Sequence, residues 1–450
     1  MKIIKIALGS LIALVFVVVL ALWLKPPALL RIGSNYTAKI VCSNVFLAGR
    51  DADEVLRDDV QAPGISILRY MKVSVDRDAH VVRSGFFGFI GGGIAVARPG
   101  VGCTVVPDGN VNFAKAVAPS SSAATPKAEG PSESAQPAQA WPDGETAAGN
   151  VQIEKIIADD NLAGPGMRAV VVIDHGHLVA ERYGAGFSAK TPLLGWSMSK
   201  TVMAGVIGML VKDGKLTLDQ TGFWPAGDPR ANIRIADLLA MSSGLRFNES
   251  YGAVSDVTSM LYLQSDMAAF AHDQPLEHPV GGTWSYSSGT AVLLSRIMQD
   301  AAGPNSADFV SQRLFQPLGM HSATMEADEH GTLVGSSYMY ANAHDWARYG
   351  QFLAQDGVWK DQRLLPEGYV AMMATPVKAS GGEYGMGQTW LFTANEAVGI
   401  PPDTFYLSGH DGQTVAVIRS RQLVIVRMGL TPNTTGYSPQ PLIKAIVAAN

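Results

Sequence analysis

The chain begins with Lys2 and Lys5, followed by an uncharged, almost wholly apolar run from Ile6 to Leu24. As a helix rising about 1.5 Å per residue, this run reaches nearly the ~30 Å of a bilayer's hydrocarbon core, whereas the apolar part of a cleaved signal peptide has only about 7 to 15 residues. Neither a small-residue cleavage pattern nor a lipid-accepting cysteine closes the run. We therefore predict that residues 1–25 form a transmembrane anchor, with a cleaved signal segment as the alternative.

The charges that flank this run predict its orientation. Both early lysines precede the apolar residues, and the positive-inside rule then places the N-terminus in the cytoplasm and everything after Lys25 outside. In a bacterium the outside is the periplasmic face of the inner membrane. If the segment is cleaved instead, the remainder of the chain is secreted.

The length and charge of the chain limit its class. With 450 residues and 47% hydrophobic composition, the chain is too long and too apolar to be disordered, and one or two globular domains are expected. Its formal net charge is -5, and its 34 Lys and Arg residues form no basic run. This pattern excludes nucleic acid as a partner.

The chain has two cysteines, Cys42 and Cys103, and both lie on the predicted outer side of the anchor. In an oxidising compartment an even pair favours a disulfide, with two unpaired buried thiols as the alternative. Nothing else in the chain offers soft ligands for zinc. No metal site is predicted.

Composition divides the rest of the chain into three parts. Residues 26–115 contain short apolar segments such as 65–68, 73–75 and 94–96 and predict a small strand-rich or mixed module. Residues 116–150 are mainly Ala, Ser, Pro, Glu and Gly, a composition that buries too little apolar surface to fold and indicates a flexible linker. Residues 151–450 form the main predicted domain.

The main domain follows an order of elements that predicts its fold. A helix over 151–158 and a hairpin over 167–183 come first, and a helix that is apolar almost all round follows over 194–210. Helical patterns then run from 216 to about 379, among them 236–241, 291–301 and 343–353. Strands over 405–407, 413–418 and 423–428 and a closing helix over 441–449 come last. This order is typical of an α/β (α+β) fold in which both chain ends complete one antiparallel sheet flanked by helices, beside an all-helical subdomain.

The clearest chemical pattern lies at the start of the apolar helix. Ser197 is the one serine with a lysine three positions later, Lys200, and residues at this spacing are neighbours on a helix. A serine hydroxyl becomes a good nucleophile when a base removes its proton, and a lysine acts as that base when burial disfavours its charged form. The alternative is an ordinary exposed helix lysine, which the apolar character of the helix disfavours.

Two other segments carry groups that suit the same chemistry. In the polar segment 284–289, Tyr286 is a candidate proton relay and Ser288 its hydrogen-bonding companion; the alternative is a structural tyrosine. In segment 408–413, Gly412 permits close approach of the backbone to a substrate, and the N–H of Gln413 is a candidate oxyanion donor beside that of Ser197. His410, in the same segment, is a candidate substrate contact or a turn residue.

In this chain order the three segments resemble the S-x-x-K, Y-x-N or Y-x-S, and K-T-G-like motifs of the serine β-lactamase, penicillin-binding and esterase superfamily. Three further stretches are similar to structural segments of its class C β-lactamase-like branch, namely 237–245, 314–320 and 343–350. The resemblance covers the part after the linker. It implies a β-lactamase/transpeptidase-like fold and catalysis without a cofactor.

The third and second motifs depart from the family pattern at two positions. His410 stands where the family has a lysine that pairs with a substrate carboxylate, and Asp411 follows it. Ser288 stands where many members have an asparagine. A mostly neutral imidazole beside a carboxylate is a poor receptor for anions near pH 7. These departures resemble the 6-aminohexanoate-dimer hydrolase and esterase branch more than true β-lactamases.

The sequence thus predicts a serine hydrolase that cleaves a small-molecule or peptide-like ester or amide, with Ser197 as nucleophile, Lys200 as base and Tyr286 as relay. Two alternatives remain open. One is a penicillin-binding or β-lactamase-type enzyme that acts on peptidoglycan peptides or β-lactams. The other is a binding module that keeps the fold without turnover.

Overall fold

The computed structural model describes residues 2–62, 64–117, 140–145, 147–303 and 306–450. Most of the predicted linker, 116–150, therefore lies outside the described residues. The chain packs as two compact units. The first contains Met1–Arg98, Cys103–Val117 and Glu249–Ser265, and the second contains Pro99–Gly102, Ala118–Asn248 and Asp266–Asn450.

The α-helices are α1 Lys2–Leu24, α2 Ala28–Phe46, α3 Ala52–Val55, α4 Val111–Ala116, α5 Val151–Ile157, α6 Asp160–Ala163, α7 Met198–Lys212, α8 Ile235–Leu239, α9 Asp256–Leu263, α10 Met267–His272, α11 Ser288–Ala302, α12 Ser306–Val310, α13 Gln316–Leu318, α14 Ala343–Ala354, α15 Tyr369–Met373 and α16 Gln440–Ala449. The strands are β1 Met71–Asp76, β2 Val81–Phe86, β3 Ile90–Arg98, β4 Gly102–Val105, β5 Met167–Asp174, β6 His177–Tyr183, β7 Leu193–Leu194, β8 Thr324–Met325, β9 Met339–Ala341, β10 Val358–Trp359, β11 Gln362–Arg363, β12 Tyr384–Gly385, β13 Thr389–Leu391, β14 Thr404–Gly409, β15 Gln413–Ile418 and β16 Leu423–Gly429.

The first helix matches the apolar run at the start of the sequence. Among the described residues, Ile3–Leu24 is the one helix long and apolar enough to cross a membrane, with a mean hydropathy of 2.8 and none of its window buried. Length and composition of this kind fit a membrane anchor or a signal sequence.

The first unit contains a long helix that the sequence patterns did not predict. Helix α2 is buried on nearly every side, although it includes polar residues such as Asn35 and Thr37. These groups are satisfied within the unit, because Thr37 donates to Gly33 O at 2.7 Å and Asn35 donates to Tyr262 O of α9 at 2.7 Å. Because these polar residues lie on buried faces, they interrupt the periodic spacing of apolar residues from which a helix is predicted.

The rest of the first unit is a four-stranded sheet in the order β1-β2-β3-β4. Of the short apolar segments, 73–75 and 94–96 lie in strands β1 and β3, whereas 65–68 overlaps the 3-10 helix Ser66–Tyr70. Cys42 of α2 and Cys103 of β4 form a disulfide with Cα atoms 6.1 Å apart.

The second unit is built on a seven-stranded sheet in the order β12-β13-β14-β15-β16-β5-β6. Strand β16, from the end of the chain, pairs antiparallel with β5, from its beginning, with Ile425 opposite Val172. The predicted antiparallel sheet completed by both chain ends is confirmed. Helices α8 to α15 occupy the middle of the unit, and short strands β8 to β11 lie among them.

Helices cover both faces of this sheet. Successive side chains of a strand point to opposite faces, and apolar side chains point to both of them. Ala416 and Ile418 of β15 pack in one buried cluster with Ile443 and Ile446 of α16. On the other face α14 approaches closely at Gly350, where a Cβ atom would lie 2.5 Å from Val424 and 2.9 Å from Val415. This close packing positions α14 against the segment that leads into α7.

Candidate active site

Ser197 lies at the junction of a short strand and a buried helix. Strand β7 ends at Leu194, and Ser197 is the N-cap residue of α7, one position before the predicted first turn. Trp196, between them, has a φ of +50°, a conformation that costs a non-glycine residue roughly 1 kcal/mol or more. The turn leaves Ser197 half-buried, whereas Met198 and Ser199 are buried. Its hydroxyl is therefore presented at a constrained, accessible position.

Lys200 is 1% exposed and points at the serine one turn earlier. Its Nζ lies 3.1 Å from Ser197 Oγ, 3.1 Å from Ser288 Oγ and 2.8 Å from the carbonyl oxygen of Ser336. An ammonium donates to all three oxygens. A neutral amine donates to the carbonyl and to one hydroxyl and accepts from the other, so this arrangement suits both protonation states.

The second segment brings Ser288 and Tyr286 to the same lysine. Ser288 is the first residue of α11 and is fully buried. The Tyr286 ring centroid lies 4.8 Å from Lys200 Nζ, and the ring packs against Trp284, Tyr384 and Trp390. This aromatic cluster holds the ring of Tyr286 beside the amine.

Segment 408–413 follows from the end of β14. Its backbone closely approaches the backbone of the turn that carries Ser197. Gly409 has φ -128° and ψ 156°, and a Cβ there would lie 2.2 Å from the carbonyl oxygen of Gly195. The His410 ring contacts the Trp196 ring edge-on at 5.7 Å, and its Nε2 lies 3.4 Å from a carboxylate oxygen of Asp411. The predicted segment 408–413 therefore lies directly beside the predicted nucleophile.

Gln413 and Gly412 sit on the supporting side of this segment. The Gln413 side chain is buried and bonds the backbone of Gly429, accepting from its N–H at 2.9 Å. Gly412 has φ +81°, which favours glycine, and its carbonyl accepts from Arg427 Nη1 at 3.1 Å. Of the predicted site residues, Ser197, Lys200 and Ser288 share direct hydrogen bonds, and Tyr286 and His410 reach the same place through ring contacts.

Arg427 is a supporting residue that the sequence did not indicate. It lies on β16, is 1% exposed, and donates to the carbonyl oxygens of Ala163, Pro165 and Gly412 and to Thr431 Oγ1. Its guanidinium stacks on the Tyr437 ring at 4.4 Å. Burial lowers the pKa of Arg427. A buried cation held by carbonyls fixes the backbone behind segment 408–413.

Helix α14 packs against the turn that carries Ser197. A Cβ at Gly195 would lie 2.2 Å from the Trp346 ring, and the Tyr349 hydroxyl donates to the carbonyl of Thr201 in α7 at 2.8 Å. Burial raises the pKa of Tyr349 far above its usual range, so this hydroxyl stays a donor. The stretch 343–350, which resembled a structural segment, has a structural role here.

The first turn of α14 carries a buried histidine that lies between two carboxylates. His344 Nε2 lies 2.7 Å from Glu181 Oε2, and Nδ1 lies 3.5 Å from Glu145 Oε1. Burial alone lowers the pKa of His344, but hydrogen bonds to Glu145 and Glu181 and their charges outweigh it and raise the pKa to about 9. The His344 hydrogen bond also lowers the pKa of Glu145. This positive histidine ties residues 140–145 to α14, together with Trp141, which donates to Gln351 at 2.6 Å.

Within the described parts of the chain, no group of three or more His, Cys, Asp or Glu residues is placed to hold a metal ion. The chemistry that the site offers is that of a hydroxyl, an amine and a phenol. These groups suit nucleophilic attack with proton transfer.

A protein-family model described as Beta-lactamase matches residues 157–439. The curated 6-aminohexanoate-dimer hydrolase of Paenarthrobacter ureafaciens is 24% identical over 217 residues, which cover 45% of this chain and 55% of that protein. The match thus spans about half the length of that relative.

Solved structures with the same fold include a family VIII carboxylesterase, with a TM-score of 0.55, 16% identity, and coverage of 67% of this chain and 97% of that chain. A penicillin-binding protein from Bacillus halodurans has a TM-score of 0.52, 18% identity, and coverage of 66% of this chain and 99% of that chain. At these identities the similarity establishes the fold.

Proposed function

Because the chain belongs to the β-lactamase family, matched over residues 157–439, we propose that it is a serine hydrolase that cleaves an ester or amide through an acyl-enzyme on Ser197. The observation that carries this proposal is the 3.1 Å distance between Ser197 Oγ and the Nζ of buried Lys200. Burial disfavours a charged ammonium, and a neutral amine at this distance accepts the hydroxyl proton.

In the first half of the proposed reaction, Ser197 Oγ bonds to the substrate carbonyl carbon while its proton passes to Lys200 Nζ. The tetrahedral intermediate then collapses, and the bond to the leaving group breaks. Tyr286 gives the leaving group a proton and recovers one from Lys200. The contact between the Tyr286 ring and the amine, 4.8 Å from ring centroid to Nζ, supports this role.

In the second half, water attacks the acyl-enzyme and loses its proton to the same base. The acid departs, and Ser197 Oγ takes the proton back. The N–H groups of Ser197 and Gln413 are the proposed oxyanion donors, since the start of α7 and the start of β15 meet where Gly409 touches Gly195.

Esters and amides without a required carboxylate are the proposed substrates. The exposed group of the third segment is His410, whose Nε2 faces the Asp411 carboxylate at 3.4 Å. That carboxylate offsets any positive charge on the imidazole and weakens it as a receptor for an anionic substrate. The 6-aminohexanoate-dimer hydrolase and the carboxylesterase to which the chain is similar are named for amide and ester substrates, which supports an amide or ester as the bond that is cleaved.

The test is covalent labelling with a fluorophosphonate, read by mass spectrometry of the intact chain and its peptides. We expect one adduct on Ser197, and none in a Lys200→Met variant that stays folded. Two matched controls should still label: Ser199→Ala, whose hydroxyl bonds Trp196 O at 2.6 Å, and Lys212→Met, at the exposed end of the same helix. A folded wild-type chain that takes no label contradicts the proposal.

Rates with short-chain nitrophenyl esters, a chromogenic cephalosporin and a D-Ala-D-Ala peptide then distinguish the substrate classes. We expect the esters to react fastest. A clear preference for the cephalosporin or the peptide would favour the β-lactamase or penicillin-binding alternative.

We also propose that α1 anchors the chain in a membrane with the remainder outside the cytoplasm. Its apolar side chains are exposed, as a lipid-facing helix requires. After expression from the full gene, the intact mass should include residues 1–25, and alkaline carbonate should leave the chain in the membrane pellet. A mass that lacks this segment, with protein in the supernatant, supports a cleaved signal instead.

A further inference from the structure

The first unit exposes a group of aromatic rings at one end of its sheet. Tyr70 is 50% exposed, Phe87 54% and Phe89 53%. The Tyr70 and Phe87 ring centroids lie 5.4 Å apart, and those of Phe86 and Phe87 lie 4.4 Å apart. We call these four residues, Tyr70, Phe86, Phe87 and Phe89, the aromatic tip. Large exposed rings in a contiguous group are typical of an interaction surface.

The aromatic tip lies where β2 turns into β3. Met71, the first residue of β1, pairs with Phe86, the last residue of β2, and the Phe87 N–H donates to Tyr70 O at 2.9 Å. Tyr70 is therefore held beside the turn between the two strands. All four rings belong to the same end of the sheet.

The end of the membrane helix lies next to this turn. A Cβ at Gly91, at the start of β3, would lie 3.4 Å from the Cβ of Pro26 and 3.3 Å from that of Leu30. Pro26 comes two residues after α1 ends at Leu24. The aromatic tip is thus adjacent to the point where the chain leaves the apolar helix.

The charges along the sheet differ between its two ends. Exposed Arg69 and Lys72 flank the aromatic tip, and Lys25 follows α1. The opposite end, at the turn between β1 and β2, exposes Asp76 and Asp78 beside a single arginine. Tyr is enriched at the interface between a membrane and water, and interfacial segments combine Phe on the lipid side with Lys and Arg toward the headgroups.

We infer that the aromatic tip inserts into the headgroup region of the same bilayer that α1 crosses. The inference rests on the proposed membrane anchor. The first unit then has two membrane attachments, the helix and the tip, and its sheet is held with the Asp76–Asp78 end toward water. A bilayer is the chosen partner because the apolar helix and the rings are contiguous and because cationic side chains flank both.

The test uses the full chain with single nitroxide labels in vesicles of phosphatidylcholine and phosphatidylglycerol. The sequence has two cysteines, and these form the disulfide, so an introduced cysteine is the one thiol to be labelled. The label positions are Phe89→Cys in the tip, Val15→Cys inside α1 and Asp78→Cys at the opposite end of the sheet. Frequent collisions of the nitroxide with molecular oxygen indicate that the label lies in lipid. Frequent collisions with a water-soluble nickel chelate indicate that it lies in water.

We expect the Val15 label to be in lipid, the Asp78 label in water, and the Phe89 label several-fold more accessible to oxygen relative to nickel than the Asp78 label. Tyr70→Cys gives a second position in the tip if the Phe89 variant does not fold. If the Val15 label is in lipid but both tip labels behave like Asp78, the tip inference is overturned and the anchor stands. If the Val15 label is in water, the anchor fails and the inference fails with it.

Discussion

Replacement of Gly409 by alanine tests whether the close approach of two backbones positions the nucleophile. With φ -128° and ψ 156°, the backbone at Gly409 is extended and suits any residue, so the alanine methyl meets no conformational penalty of its own. The methyl carbon would lie 2.2 Å from the carbonyl oxygen of Gly195 and 2.9 Å from the Gln413 Cβ. Gly195 precedes the turn that carries Ser197, and Gln413 carries a proposed oxyanion donor.

The size of the effect follows from that overlap. A contact of 2.2 Å is more than 1 Å shorter than the optimum of about 3.5 Å for non-bonded heavy atoms. Movement of Gly195 is restricted, because the Trp346 ring of α14 packs closely against it. The turn that carries Ser197 must therefore shift by about 1 Å, which is expected to lower kcat/KM about 100-fold. Overpacking should also reduce the free energy of unfolding by about 1–3 kcal/mol.

The assay compares kcat/KM for a nitrophenyl ester with the second-order rate of fluorophosphonate labelling. Both should fall together, since both depend on attack by Ser197. Gly92→Ala is the matched control, because a Cβ there meets its first neighbouring atom at 4.0 Å, and it should leave both rates unchanged. If Gly409→Ala, folded by circular dichroism, reacts within threefold of wild type, the two backbones do not control the position of Ser197.

Four further outcomes are expected. Ser288→Ala removes one of the hydrogen-bond partners of Lys200 Nζ and should lower kcat/KM, measured with a nitrophenyl ester, about 10- to 100-fold, whereas Ser295→Ala on the same helix should not. Arg427→Met leaves the carbonyls of Ala163 and Gly412 without their side-chain donor, while Pro165 O keeps the Thr431 hydroxyl, and should reduce the free energy of urea unfolding by about 3 kcal/mol. The pKa of His344 is raised from 6.5 to about 9, so its stabilisation, about 3 kcal/mol, is complete below pH 6.5 and is lost as pH rises through 9. Urea unfolding from pH 6.5 to 9.5 should show this loss in wild type and in the exposed-residue control His177→Gln, but not in His344→Gln. His410→Lys adds a fixed cation and should raise cephalosporin turnover about tenfold while Ser197 labelling is unchanged; unchanged turnover contradicts the assigned role of His410.

The parts of the fold that rest on local patterns were predictable from the sequence. Strands β14 to β16 and helices α11 and α14 appear within a few residues of the predicted positions, because strand alternation and helix periodicity repeat over short spans. The contact between Ser197 and Lys200 is likewise local, since three residues on a helix return to the same face.

The parts that depend on distant backbone were not predictable. The carbonyl of Ser336 accepts from Lys200 across 136 residues, and a carbonyl oxygen has no signature in a sequence. Segment Glu249–Ser265 packs with the first unit although it lies inside the predicted domain 151–450. Its helix α9 supplies Tyr262, whose carbonyl bonds Asn35 of α2. Hydrogen bonds between segments far apart in the chain determine these placements. Local composition shows only how a segment itself is built and does not show which distant segment it contacts.

The third segment illustrates how these two kinds of information combine. Its backbone is fixed from behind, because Arg427 holds the Gly412 carbonyl and the Gln413 side chain bonds Gly429. Its other side carries His410, whose side chain is 40% exposed and is the proposed substrate contact. Because Arg427 and the Gln413 side chain hold the backbone, we expect that the residue at position 410 can change without moving the proposed oxyanion donors. We therefore expect the departure from the family motif at this position to change the choice of substrate and to leave the proposed attack by Ser197 unaffected.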